Sequence, residues 1–294
     1  MLYEIQTLAV VVFLAGCWAC ELVVPAVQMA RTDSRTVRCR HLVLGAINAI
    51  PAIGIASLLG IMDTYATRNG IGLLKLLDLP AWGGAVAAFL ILDLCQYTSH
   101  VVMHKVPFLW RMHAVHHHAE HVESTTAFRF HTLEVVAHGL MLIPLLLIFG
   151  FRIHDLALYN AIVIPMSVFH HANIRLPRHL ERVLRVFIIT PGSHRLHHAR
   201  WQPLTDSNYG AVLSIWDRIF GTASARPDPE AIPVGLDGFK PEEIESLRGM
   251  LGTPFSSSRA GLGTPPPGEY PRPVTKVKSQ RAEKPCNRAA EARV

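Results

Sequence analysis

The chain has 294 residues, half of them hydrophobic and 17% charged, with a mean hydropathy of +0.27 and a formal net charge of +6. Soluble domains carry about 25% charged residues, so this balance excludes simple disorder, a collagen-like chain and a disulfide-stapled secreted module. The positive charge is no nucleic-acid signature: its arginines occur in short segments bordering apolar runs, without aromatic interleaving, and read as determinants of membrane topology.

Apolar stretches lie at about 8–30, 42–62, 81–103, 135–153 and 155–171. A helix rises ~1.5 Å per residue and the hydrocarbon core of a bilayer is ~30 Å thick, so ~20 residues span it. The first three stretches are long enough. The last two are shorter and are separated by Gly150–Asp155, which predicts a tight helical hairpin. Glu4 is the only early charge and no basic segment precedes the first apolar run, so that run is expected to stay as an anchor. Cys17 and Cys20 lie inside it as small membrane-helix residues; with Cys39, Cys95 and Cys286 they are too scattered for a disulfide framework. Arg31, Arg35, Arg38 and Arg40 place the first loop in the cytoplasm. Residues 63–80, with Leu73, Leu74, Leu76 and Leu77 beside Lys75 and Asp78, read as an interfacial helix. From about 226 the chain turns proline-rich and polar, with a short helix opening at Pro241 and a disordered or loosely attached last forty residues. The expected fold is therefore all-α and integral to a membrane, with four to five transmembrane or membrane-embedded helices and a cytoplasmic histidine-rich helical cap. Its parts are anchor helices over 1–80, a metal-binding domain over 81–225 and a largely disordered tail over 226–294.

The 17 histidines cluster. His100 and His104 form H-x-x-x-H; His113, His116 and His117 form H-x-x-H-H; His194, His197 and His198 repeat it. Residues i, i+3 and i+4 share a helix face with Cβ atoms roughly 5–6 Å apart, so each group is expected to aim its imidazoles at one point. Parity of the spans brings all three groups, with His170 and His171, to the cytoplasmic end. One such pair is weak evidence, but three groups at one end of a bundle point to a metal site. Eight or more imidazoles exceed the four ligands of one zinc and suggest two ions with open positions. Imidazole suits Zn, Cu, Fe and Ni, so ligand type leaves the metal open. Asp93, an acid inside the third span, is a functional candidate by its cost in lipid. It is expected either to hold a ligand histidine in its tautomer or to bond Gln96 or Tyr97.

Over about 85–220 the chain resembles the membrane-bound fatty acid hydroxylase/sterol desaturase superfamily of di-iron oxygenases. The resemblance rests on several blocks in family order. They are Asp93…Tyr97…His100…His104, then Leu109-Trp110-Arg111-Met112-His113…His116-His117, and Phe128-Arg129-Phe130-His131…Glu134. Phe169-His170-His171-Ala172-Asn173 follows, then Thr190-Pro191-Gly192-Ser193-His194…His197-His198, and Asp206…Asn208-Tyr209-Gly210…Trp216-Asp217-Arg218. Val101 and Thr132 depart from the pattern without removing a ligand. The resemblance implies that His100, His104, His113, His116, His117, His194, His197 and His198 bind two iron ions, with His171 and His131 completing the set. His170 and Asn173 are given supporting roles beside the ligands, and His118 and His121 none. His41, His138, His154 and His179 read as loop, membrane-edge or packing residues.

It further implies O2 as co-substrate and hydroxylation of a C–H bond in a fatty acyl, sphingolipid or sterol-like lipid drawn from the bilayer. Electrons come from a separate protein, of ferredoxin or cytochrome b5 type, because no flavin, haem or ferredoxin segment is visible. A desaturase on the same scaffold is the nearest alternative. A zinc-dependent membrane hydrolase, needing neither O2 nor electrons, is the reading from another class. A metal transporter predicts histidines or acids spread across the bilayer, whereas these gather at one end.

Overall fold

A computed structural model describes residues 2–28, 31–226, 228–237 and 245–255, with backbone alone at 2–7, 9 and 31–34. The helix expected at Pro241 and the last residues from 256 onward lie outside the described residues. Among the described residues there are helices, turns and three isolated β-bridges, but no strand.

Helices α1 (Leu2–Val23), α2 (Arg31–Arg68), α3 (Ala81–Lys105), α5 (Thr132–Phe149) and α6 (Ile153–His171) form an apolar bundle, in which α2 packs on α5, α1 on α6 and α3 on α6. Three segments are long and apolar enough to cross a membrane, Arg35–Leu76, Ala81–Lys105 and Thr132–Phe149; α1 adds a shorter apolar run, Val10–Val23. The outward faces confirm the solvent: Ile50 and Trp82 are each 74% exposed and Ile53 68%, which water would penalise and lipid does not. The chain is an integral membrane protein. Pro51, Pro144 and Pro165 sit inside α2, α5 and α6, as membrane helices tolerate when neighbours resatisfy the freed carbonyls.

Inside the bundle Leu59, Leu92, Leu146, Phe151 and Tyr159 make the main apolar core. The 150–152 turn between α5 and α6 crosses Gly72 so closely that a Cβ on Gly72 would lie 2.3 Å from the Gly150 Cα. Both glycines have positive φ, 128° and 75°, so neither position admits a side chain easily. The expected interfacial helix over 63–80 resolves into the end of α2 and one 3-10 turn, Leu73–Leu76, which leaves Leu73, Leu76 and Leu77 exposed.

Two sequence expectations are corrected. The arginine-bearing segment before the second span is not a loop but the opening turns of α2, 38 residues in one helix. The reason is pairing: Arg38 meets Glu21 and Glu123 at 3.0 Å each, all three buried, and Arg40 donates to the Glu245 carbonyl at 3.0 Å. Second, folded structure continues past residue 226. Ile232, Val234 and Leu236 are buried, and the Arg200 amide donates to the Pro233 carbonyl at 2.9 Å. Met250, on α10 (Leu247–Gly252), packs with Leu44 and Val115. Arg129, fully buried, reaches Glu245 at 2.9 Å.

The cap is built from short pieces at one end of the bundle. They are α4 (Pro107–His117), a 3-10 turn at Ser124–Phe128, α7 (Arg178–Leu184), α8 (Pro191–His197) and α9 (Ile215–Ile219). Pro107 and Pro191 open α4 and α8 at their first turns, where a missing N–H costs nothing.

Candidate metal centre

Each histidine motif lands on a helix end. His100 and His104 lie in the last turns of α3; His113, His116 and His117 end α4; His171 ends α6; His194 and His197 lie on α8, which His198 caps. Their ring nitrogens converge in two groups, each with ligand atoms within 4.8 Å of one another. The first holds His100, His104, His113, His117 and His197, and the second His116, His171, His194 and His198. The groups abut: the His117 and His198 rings stack at 4.5 Å and those of His113 and His116 lie 5.3 Å apart.

The expectation that each H-x-x-H-H motif aims at one point is therefore corrected. On α4 the i and i+4 members, His113 and His117, serve the first group, while His116 serves the second. On α8 the i and i+4 members, His194 and His198, serve the second, while His197 serves the first. Successive residues on a helix are turned by about 100°, so i+3 and i+4 diverge and one motif feeds two neighbouring centres.

The residues fit metal ions. Nε2 atoms face each other at 3.1 Å (His100, His113), 3.0 Å (His116, His171), 2.9 Å (His171, His194) and 3.2 Å (His194, His198). Imidazole nitrogens at ~2.0–2.1 Å from one ion stand roughly 2.9–3.4 Å apart along the edges of an octahedron or tetrahedron. Both nitrogens of His117, and Nε2 of His104 and His197, are buried without hydrogen-bond partners; such groups cost about 1–3 kcal/mol each unless something satisfies them. Burial and neighbouring imidazoles hold His116, His117, His194 and His198 well below the usual histidine pKa and push His197 down to about 3. All five stay neutral, the form that binds metal.

The tautomers are set from outside. His100 Nδ1 faces the Tyr209 carbonyl at 2.8 Å, His197 Nδ1 the Ser207 carbonyl at 2.8 Å and His171 Nδ1 the Ser167 carbonyl at 2.7 Å. A carbonyl only accepts, so Nδ1 carries the proton and Nε2 presents its lone pair inward. His113 Nδ1 meets Glu134 Oε1 at 2.6 Å, and Asp206 Oδ1 lies 3.4 Å from His104 Nδ1. Asp217 accepts from the Tyr209 and Gly210 amides at 2.8 and 2.9 Å and so fixes the carbonyl that holds His100.

Other expected residues fall outside both groups. His131 caps α5: its Nδ1 accepts from the Leu133 amide at 3.1 Å and its Nε2 lies 3.2 Å from the Leu251 carbonyl. His170 is buried against the rings of His194, 4.1 Å away, and His171. The Asp93 carboxylate takes partners other than a histidine, Gln96 or Tyr97. It accepts from Tyr159 Oη at 3.0 Å, the Leu213 amide at 3.1 Å and Trp216 Nε1 at 2.9 Å, tying α3 to α6 and to the segment before α9. Asn173 likewise holds backbone, exchanging hydrogen bonds of 2.9 and 2.8 Å with Val27. His118 is buried outside the groups, and His41 lies between Thr125 and Arg129. Glu134 is the carboxylate to which the sequence analysis gave no role; its signal was an acid in the first turn of an apolar helix.

Apolar helices thus carry two imidazole clusters at one end, in a membrane-embedded protein whose clustered nitrogens have the spacing of metal ligands. Residues 85–222 match the fatty acid hydroxylase family model, and over this segment the chain is similar to that family. The chain is 29% identical over 208 residues to the human (Homo sapiens) alkylglycerol monooxygenase, covering 68% of this chain and 44% of that protein. It is 33% identical over 173 residues to the Danio rerio alkylglycerol monooxygenase, 54% and 35% of the two chains. It is 28% identical over 172 residues to the ornithine lipid hydroxylase OlsE of Rhizobium tropici, 58% and 50%. The chain thus spans half or less of the length of these relatives. No solved structure matches it.

Proposed function

We propose that the protein is a membrane-bound di-iron oxygenase that uses O2 and external electrons to hydroxylate a C–H bond of a lipid. The observation that carries this reading is the pair of adjoining histidine groups inside a fatty acid hydroxylase domain. The relatives' names, monooxygenase and lipid hydroxylase, supply the reaction type and substrate class.

His100, His104, His113, His117 and His197 would hold one iron and His116, His171, His194 and His198 the other. Iron at these sites supplies O2 activation for attack on an unactivated C–H bond. The chain's own part is placement. Tyr209, Ser207 and Ser167 carbonyls keep Nε2 of His100, His197 and His171 turned inward. Glu134 accepts the His113 Nδ1 proton and gives a cationic site one balancing charge. Trp110, Phe130 and Tyr209 pack against the cluster and exclude water from it. The substrate enters from the bilayer and the electron donor is a separate protein of ferredoxin or cytochrome b5 type. The cluster lies on the cytoplasmic side, because Arg31–Arg40 and Arg175–Arg195 flank it.

The test is metal analysis of detergent-purified protein with Mössbauer spectroscopy on an iron-57-grown sample, followed by O2-dependent turnover of candidate lipids with a reductant. About two irons per chain in a coupled pair, with a hydroxylated product, is the expected result. Unsaturated product would make it a desaturase. Zinc alone after anaerobic purification, with lipid hydrolysis, would overturn the oxygenase reading.

A further inference from the structure

Beside the second histidine group lies a cavity of about 480 Å3, bounded by α7, by α8 and by residues 172–176 after α6, with His171 in its wall. Its lining carries Arg175, Arg178, Arg182, Arg185, Arg195 and Arg226 against two carboxylates, Glu181 and Glu230. Arg175 pairs with Glu230 at 2.7 Å and Arg178 with Asp228 at 3.0 Å. Glu181 is occupied by the Thr190 hydroxyl and the Gly192 amide. The remaining four arginines make no ion pair within 4 Å among the described residues, although Glu181 acts on Arg185 and Glu230 on Arg195 at longer range. Arg195 is half-buried and bonded only to the Pro229 and Ile232 carbonyls, and the Arg226 Nε is buried without a partner. Cations gathered in a concave, partly desolvated wall focus a positive field, and the guanidinium fork matches phosphate and carboxylate oxygens.

The position of α7 says where the anion comes from. Arg178, Arg182 and Arg185 recur at i, i+4 and i+7 and line the cavity. Leu180 and Val183, on the opposite side by the same 100° step, are 38% and 57% exposed, and Phe187 in the turn after the helix is 64% exposed. Ile219, the last residue of α9, and Phe220 after it are 60% and 57% exposed. A short helix in the cap at one end of the apolar bundle, apolar on one side and basic on the other, suits the headgroup level. Its basic side faces the cavity that ends at His171.

We propose that this cavity is the subsite for an anionic headgroup, phosphate or carboxylate, of the lipid substrate. It seats that group between the arginine side of α7 and Arg195, within reach of the second histidine group. The assignment rests on the lipid-oxygenase reading and adds the chemistry of the polar end that the enzyme selects.

The experiment measures binding to the full chain in neutral detergent by calorimetry, using single-chain lipids of one chain length that end in phosphate, carboxylate or neutral glycerol. Inorganic phosphate serves as competitor. The expected result is a preference of about tenfold or more for the anionic lipids, as charge-assisted hydrogen bonds of ~1.5–3 kcal/mol imply. In Arg182→Gln/Arg185→Gln that preference is lost, while Arg152→Gln, on the turn between α5 and α6, retains it. Equal affinity for neutral and anionic lipids, or a preference unchanged in the double variant, overturns the subsite. Inorganic phosphate binding as tightly as the lipid would assign a free anion, and slower reduction by an acidic donor protein with lipid preference intact would assign docking; either overturns it. Binding is read without turnover. Preference in a protein that oxidises no lipid sinks the oxygenase reading and spares the subsite, whereas turnover without headgroup preference does the reverse.

Discussion

Replacing Glu134 by glutamine removes a charge from beside the first histidine group and leaves side-chain volume unchanged. Glu134 is buried, and its Oε1 stands 2.6 Å from His113 Nδ1, the length of a charge-assisted hydrogen bond. That bond orients the ring and raises the basicity of Nε2, which faces His100 Nε2 at 3.1 Å. Removing the outer partner of a metal-binding histidine costs about 10–100-fold in metal affinity or activity, or about 1.4–2.8 kcal/mol at 1.4 kcal/mol per tenfold. Glutamine keeps an acceptor oxygen, so Glu134→Gln belongs near the tenfold end. Glu134→Ala also opens a void and belongs near the hundredfold end. The assay is competition with a graded iron chelator, read as metal per chain, alongside lipid turnover. Chelator resistance and turnover equal to wild type in both variants would refute the role given to this carboxylate.

His197→Ala, in the first group, should abolish turnover while circular dichroism still reports the helical bundle; retained product formation would move the site elsewhere. Asp93→Ala strips the acceptor from Tyr159, Leu213 and Trp216 and should cost about 3 kcal/mol or more of stability, seen as a lower Tm in detergent. Loss of iron with an unchanged Tm would instead restore Asp93 to the metal site. The metal-free protein should weaken in acid. His197 keeps a folded-state value of about 3 and its neighbours lie well below normal, whereas the unfolded chain takes up protons near 6.5. Stability is therefore full above about pH 6.5 and falls below it by ~1.4 kcal/mol per pH unit for each such histidine. Melting curves at pH 7.5 and 5.5 check this; equal Tm values refute it.

Much of this was legible in local pattern. The apolar run at 81–103 is α3, seen at Ala81–Lys105, and the i, i+3, i+4 spacing places each histidine motif on a helix end. Hydropathy and helical period act within a few residues, so they survive without tertiary information. How imidazoles divide between two centres does not, since it depends on the azimuth of α4 relative to α8. The support from Tyr209 and Ser207 carbonyls was hidden because a backbone acceptor leaves no mark in side-chain identity. Asp93 was singled out as an acid inside the third span, but its partners lie 66 to 123 positions away, beyond any local rule. Proline content disguised 228–237 and 245–255 as tail, although Ile232, Val234, Leu236 and Met250 carried an apolar signal that the fold buries.

The sharing of α4 and α8 between the two groups would govern how a two-metal centre assembles. An ion captured by His113 and His117 would fix the rotation of α4 and thereby the direction of His116; one captured by His194 and His198 would do the same for His197. Whichever ion arrived first would leave the other position already ordered, so the second would bind with less entropy to lose. Loading of the proposed pair would be cooperative for this reason alone. Under metal scarcity a population of these molecules would divide into fully charged and bare forms, with the singly charged form scarce.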